Sequence, residues 1–281
     1  MIILLRNITA SMLNISFPNN FVLIDTIDPK DIWDNLLRSP LVIIRSKEVR
    51  TGDREWAFKF INSLGTMGAD ELHVPLSKYE PKLHMTPMDI YAMDNKDDLF
   101  KANGKYIGVW HQDMTCMPKP TRFSIIMNQS VEGTPHPMTE FRNLAATYKY
   151  SQYKEEAKDV KYTHFNTNIH TIKNPTSEDY EKLSHDHPLV QSFFGKMHYC
   201  YNPTMIHQQQ DQEVRELMHR IEMEANNPMF AYKHRYEKGD ILIWNQLMTN
   251  HRVILNDNHK HRVNWRSSFT DDKLGEYYAS R

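Results

Sequence analysis

Cysteine is nearly absent: the 281 residues include two, Cys116 and Cys200. Two thiols exclude a disulfide framework and fit a reducing compartment, so a cytoplasmic protein is expected. Glycine is scarce as well, with nine in the chain, and neither GxGxxG nor GxxxxGKS/T occurs. The glycine-rich phosphate loops of nucleotide folds are thereby removed from consideration. No apolar run is long enough to span a bilayer. The apolar opening Met1–Leu5 ends at Arg6, too short for a signal-peptide core. Neither charge is in excess: 34 Lys+Arg against 35 Asp+Glu leave a formal net charge of −1. A chain so balanced is not built to coat nucleic acid, and neither nucleic acid nor membrane is an expected partner.

What is present describes a soluble-type globule, with 40% hydrophobic and 25% charged residues. A chain of this length buries roughly 70–75% of its unfolded surface, enough for a full core. No linker or internal repeat interrupts it, so residues 1–281 read as one domain with its core motifs at about 105–270. Phe21–Asp25 and Leu41–Arg45 read as short strands, with a helix over Lys30–Arg38 behind Asp28-Pro29. Arg54–Leu64 has helical apolar spacing and stops at Gly65. Strands are expected at Lys105–Trp110, Arg122–Asn128 and Gln191–Tyr201, and a helix at Met138–Tyr148. Asp211–Asn226 is the clearest helix, carrying Val214, Leu217, Met218, Ile221 and Ala225 on one stripe. Four short β runs follow at Phe230–Arg235, Asp240–Trp244, Arg252–Leu255 and Arg262–Phe269. Many short strands with few helices predict a mainly β fold, two sheets wrapped by helices.

Chemistry gathers at Trp110-His111-Gln112-Asp113. A His and an Asp two apart on extended backbone project to one side. Imidazole with carboxylate suits a divalent first-row metal, and a third ligand would complete the facial triad of non-haem iron oxygenases. A lone HxD pair is weak. It gains weight from the turn-entered strand Gly239–Asn245, from His251 a few residues on, and from Arg262 and Arg266 in the last β run. Two arginines four apart on a strand share a face, and buried guanidiniums need anions. A dicarboxylate would satisfy one of them bidentately.

These pieces, in this order, resemble the taurine/2-oxoglutarate dioxygenase family of Fe(II)- and 2-oxoglutarate-dependent oxygenases, related to clavaminate synthase. The resemblance covers W-H-x-D-x-T at Trp110–Thr115, Ala145-Ala146-Thr147-Tyr148, His187-Pro188-Leu189-Val190, Tyr201-Asn202-Pro203, G-D-x-x-x-W-N at Gly239–Asn245, and His251. It runs from about Trp110 to Phe269. The resemblance implies a double-stranded β-helix, or jelly-roll, core. It implies that His111, Asp113 and His251 are the iron ligands and catalytic centre, and that Arg262 and Thr139 bind the cosubstrate 2-oxoglutarate. Arg266 and His73 fall where relatives bind substrate. The expected partners are a small, anionic substrate and O2, with a homo-oligomer left open. Asp113 favours hydroxylation, because a glycine or alanine there would leave room for a halide. Desaturation or cyclisation, and a non-catalytic binding protein on the same scaffold, are the alternatives.

Blander readings stand beside these. His219 and Glu222 are expected on a solvated helix face, His185 and His187 in a loop, and His259 and His261 in an exposed turn. Cys116 reads as a small core residue.

Overall fold

The structure, a computed structural model, describes residues 15–16, 21–67, 91–94, 108–113, 115–131, 138–165, 176–177, 184–204, 211–254 and 262–278; at 15–16, 91–94 and 262 the description is of backbone. Short polar caps set the helices. Asp28 accepts from the N–H groups of Lys30 and Asp31 and, with Pro29, starts α1 (Pro29–Leu36). Asp53 caps α2 (Arg54–Leu64), and Asn143 caps α3 (Leu144–Tyr150), which is followed by the single turn α4 (Lys154–Ala157). Asp211 caps α5 (Gln212–Ala225), and α6 (Leu274–Tyr278) closes the described chain. Gly65 ends α2 where a Cβ would lie 2.0 Å from the Thr270 carbonyl oxygen, so no larger residue fits that close approach.

The strands are β1 (Ile15–Ser16), β2 (Val22–Ile24), β3 (Leu41–Ile44), β4 (Tyr91–Asp94), β5 (Phe123–Val131), β6 (Met138–Asn143) and β7 (Lys161–Phe165), then β8 (Ser184–Pro188), β9 (Val190–Phe193), β10 (Lys196–Tyr199), β11 (Ala231–Arg235), β12 (Ile241–Asn245), β13 (Thr249–Ile254) and β14 (Arg262–Phe269). A seven-stranded sheet has the order β1-β2-β3-β12-β5-β14-β4, and a three-stranded sheet the order β11-β6-β13. All its pairings are antiparallel except β2 with β3. The two-residue period of a strand sorts the apolar residues of the large sheet into two cores. Val42, Ile44, Ile125, Met127, Ile241 and Ile243 face the helix side, with Trp33, Phe60 and Leu274. Leu41, Ile43, Ile126, Leu242 and Trp244 face the other way, onto Phe141 of the small sheet. That is why ILIWN at Ile241–Asn245 is apolar without alternation: both of its faces are covered. A third cluster, with Tyr162, Tyr199, Leu217 and Ile221, lies under α5.

The expected strand at Arg262–Phe269 forms with those ends, and those at Leu41–Arg45, Asp240–Trp244 and Arg252–Leu255 form with ends shifted by one to three residues. Three readings are corrected. Met138–Tyr148 is not one helix, because β6 runs to Asn143 and α3 begins only there. Thr139 and Phe141 alternate with Glu140 and Arg142, and hydrogen-bonded neighbours on both edges make that segment a strand. Gln191–Tyr201 is a hairpin, with Phe194 (φ 47°) and Gly195 (φ 76°) in the left-handed region at its tip. His185 and His187 lie in β8 rather than in a loop, paired with His164 and Tyr162 of β7.

Candidate metal centre

The site is built where an isolated bridge joins the segment at His111 to β13. His111 and His251 exchange both backbone hydrogen bonds, at 3.0 and 2.9 Å. Directly opposed residues of an antiparallel bridge project to one side, and the two imidazole centroids lie 4.2 Å apart. Asp113, two residues past His111, joins them: its Oδ1 is 3.9 Å from His111 Nε2 and its Oδ2 3.5 Å from His251 Nε2. One ligand atom from each of the three lies within 4.8 Å of the others, and among the described residues this is the group of His, Cys, Asp and Glu that converges so. Phe141 and Trp244 wall the His251 ring, with centroids at 6.1 and 5.2 Å.

The charge states suit a cation. Burial drives both imidazoles toward the neutral, ligating form; at His251 the neighbouring His111 adds to it, while Asp113 opposes it at both. Burial of Asp113 resists ionisation, but the Arg266 guanidinium and the two histidines outweigh it and hold the carboxyl down at about 2. His111 Nδ1 donates to the Val109 carbonyl oxygen at 2.9 Å, which leaves Nε2 as the nitrogen with the lone pair, facing Asp113. Both nitrogens of the buried His251 ring lack a hydrogen-bond partner. A buried ring nitrogen left orphaned beside a carboxylate, as His251 Nε2 is, is costly unless an ion satisfies it, and a His-Asp-His donor set fits Fe(II).

The structure places the other expected site residues as follows. Arg266 contacts Asp113 Oδ2 through Nη2, and its Cζ lies 5.7 Å from the Trp244 ring centroid. Thr139 is buried on β6, on the Phe141 side, with Oγ1 2.9 Å from the Tyr236 hydroxyl. Arg262 begins β14 opposite Val131, and its side chain lies outside the described residues. A register shift between Val263 and Asn264 stands between the two arginines; Gln129 on the facing strand is the residue passed over. His73, His259 and His261 lie outside the described residues. Cys116 is buried, as a small core residue should be.

One participant, Arg142, went unread in the sequence, and another, Glu222, was expected on a solvated face. Arg142 is fully buried and forms an ion pair with Glu222, so Glu222 is not on a solvated face. The signal that could have found Arg142 is the Thr-Glu-Phe-Arg-Asn alternation of β6, which sends it away from Phe141.

A family model described as "Taurine catabolism dioxygenase TauD, TfdA family" matches residues 4–267. The chain belongs to this family. Family members are Fe(II)- and 2-oxoglutarate-dependent dioxygenases, so this chain is an oxidoreductase that uses both. Solved structures share its fold at low identity. A Burkholderia xenovorans protein described as an alpha-ketoglutarate dependent 2,4-D dioxygenase superposes with a TM-score of 0.68 at 16% identity, over 92% of this chain and 96% of its own. AAD-2 in complex with Mn(II) and N-oxalylglycine gives 0.67 at 19%, over 93% and 96%. A taurine dioxygenase from Burkholderia xenovorans gives 0.65 at 18%, over 90% and 88%. No curated protein matches the chain. No helix among the described residues is long and apolar enough to cross a membrane.

Proposed function

We propose that this chain hydroxylates a small anionic molecule on a centre held by His111, Asp113 and His251. The convergence of their ligand atoms within 4.8 Å carries the reading. The two facing sheets form one jelly-roll domain over residues 1–281, and the enzyme works in the cytoplasm. Bound Fe(II) with 2-oxoglutarate would supply the oxygen chemistry, yielding succinate and CO2 as the substrate is oxidised. AAD-2, with Mn(II) and N-oxalylglycine bound, supports that assignment on the shared fold.

The residues divide the work. Asp113 is kept ionised by Arg266, whose contact with Oδ2 also fixes the plane of the carboxylate beside the two imidazoles. Arg262 at the head of β14 and the hydroxyl of Thr139 receive the far carboxylate of 2-oxoglutarate. Thr139 supports this by facing the interior from the strand that pairs with His251. Arg266 lies beside the centre with its Cζ over the Trp244 ring, and its positive charge attracts an anionic group of the substrate there, where low dielectric strengthens the attraction. His73 is assigned to the substrate on resemblance alone. Phe141 and Trp244 exclude water from the imidazole His251, which keeps oxidation directed at bound substrate.

Succinate release from 2-oxoglutarate in air, with Fe(II) added, tests the proposal. The protein should release succinate, more with its substrate than without. His251→Ala should release none while keeping its circular dichroism. Equal release by the two proteins would remove His251 from the centre.

A further inference from the structure

The side of the bridge turned away from the centre holds a second, charged layer. Register places Asn250 opposite Arg142 and Arg252 opposite Glu140, just as it places His251 opposite Phe141. Alternation therefore sends His111, His251 and Phe141 to one side and Trp110, Asn250, Arg142 and Arg252 to the other. Arg142 sits at the middle of this second layer with no solvent exposure. Its Nε and Nη2 donate to Asn250 Oδ1 at 2.9 and 2.8 Å, and Nη2 also donates to the Tyr201 hydroxyl at 2.7 Å. Nη1 donates to Glu222 Oε1 at 2.8 Å and to Asn226 Oδ1 at 3.1 Å, both on or beside α5. The guanidinium carbon lies 4.7 Å from the Trp110 ring centroid, and Arg252 covers the same ring at 4.3 Å. Asn250 Nδ2 completes the net by donating to the Tyr201 carbonyl at 2.9 Å.

Arg142 thus grips the residue that immediately precedes each ligand histidine: Trp110 before His111, and Asn250 before His251. We infer that Arg142 is a positioning residue of the metal centre, holding the two histidine-bearing segments at the spacing at which both rings meet one ion. The inference rests on the metal reading given above. Stability alone is a poor reason for such a group. A buried ion pair is often matched or bettered by an apolar side chain of similar volume, whereas a planar fork with five fixed donors defines geometry. Arg142 touches neither ligand ring, so it acts through the backbone of its neighbours.

The test measures Mn(II) binding to the full chain by the loss of the free-ion electron paramagnetic resonance signal, with Co(II) absorption reporting ligand geometry. Arg142→Met and Arg142→Lys are compared with Leu217→Ala, a core truncation on α5 that lowers stability without touching the net. Partners that orient a ligand histidine typically cost 10–100-fold in metal affinity when lost. Both Arg142 variants should bind Mn(II) about tenfold more weakly and shift the Co(II) bands, since lysine cannot span Asn250 and Glu222 together. Leu217→Ala should melt earlier yet keep wild-type Mn(II) affinity. Unchanged affinity and Co(II) bands in both Arg142 variants would overturn the inference, and so would an equal loss in Leu217→Ala. If Arg142→Met does not fold, Glu222→Gln carries the test: weaker Mn(II) binding supports the inference and unchanged binding overturns it. Failure of the unmodified protein to bind Mn(II) would instead refute the metal centre itself.

Discussion

Asp240 offers a prediction whose size follows from its contacts. It stands in the turn that leads into β12, and its side chain has 0% exposure. Oδ1 accepts from Arg45 Nε at 2.8 Å and Oδ2 from Arg45 Nη2 at 3.0 Å, while the His234 ring and the Glu237 N–H reach Oδ2 at 2.9 and 2.8 Å. Asp240→Asn keeps the volume and removes the charge. Breaking one side of a buried pair costs about 3–5 kcal/mol. Arg45 is 40% exposed and can be rehydrated, so the lower end applies, about 3 kcal/mol. For a chain of this size that is a fall in Tm of roughly 6–12 °C. Arg45→Met should cost at least as much, because it leaves a buried carboxylate with two of its four donors gone. The two losses should not add, since they share one carboxylate. Burial raises the carboxyl's pKa, but the His234, Arg45 and Glu237 donors outweigh it and leave it below the ordinary carboxylate value. A depressed carboxyl stabilises the fold fully above its unfolded pKa, about 3.9, and loses that contribution as pH falls through the folded value. The wild-type advantage over Asp240→Asn, measured by urea unfolding, should therefore hold from pH 7 to about 5 and shrink below about 4. A loss under about 1 kcal/mol at pH 7, or a gap that does not change with acidification, would refute the reasoning.

Other outcomes follow from the same geometry. Arg262→Ala should weaken 2-oxoglutarate binding, read as a raised KM for the cosubstrate; an unchanged KM would move that role to Arg266. Burial pushes the Cys200 thiol up to about 12, so a disulfide reagent at pH 8 should label it only on unfolding, and rapid labelling of the native protein would contradict its placement. Mn(II) at about 100 times its Kd should add about 2.7 kcal/mol of stability, removed by a chelator, and no change in Tm would contradict a site present in the folded state.

The convergence of the candidate triad was legible because its chemistry is local: His111 and Asp113 two apart on extended backbone, and His251 a few residues past the turn-entered strand. The β12 run was legible for a similar reason, an apolar stretch with no polar interruption. Arg142 was not, because a buried arginine looks like a surface one until its partners are known, and they lie on β13, on α5 and at Tyr201. Glu222 hid for the same reason: helical spacing puts it near His219, but only the packing of α5 against β6 turns it inward. Residues 138–143 were misread because strand pairing on both edges, which no local pattern encodes, overrode a sequence able to continue into the α3 helix. The hairpin tip at Phe194 carried a weak signal in Gly195, masked by the exposed aromatic in a left-handed conformation before it.

An anaerobic titration of the purified protein with Fe(II) and 2-oxoglutarate, followed in the visible, tests the central claim most directly. A metal-to-ligand charge-transfer band saturating at one iron per chain, absent in Asp113→Ala, is the predicted result. Should the folded protein give no band, or Asp113→Ala give the same one, His111, Asp113 and His251 do not hold the iron.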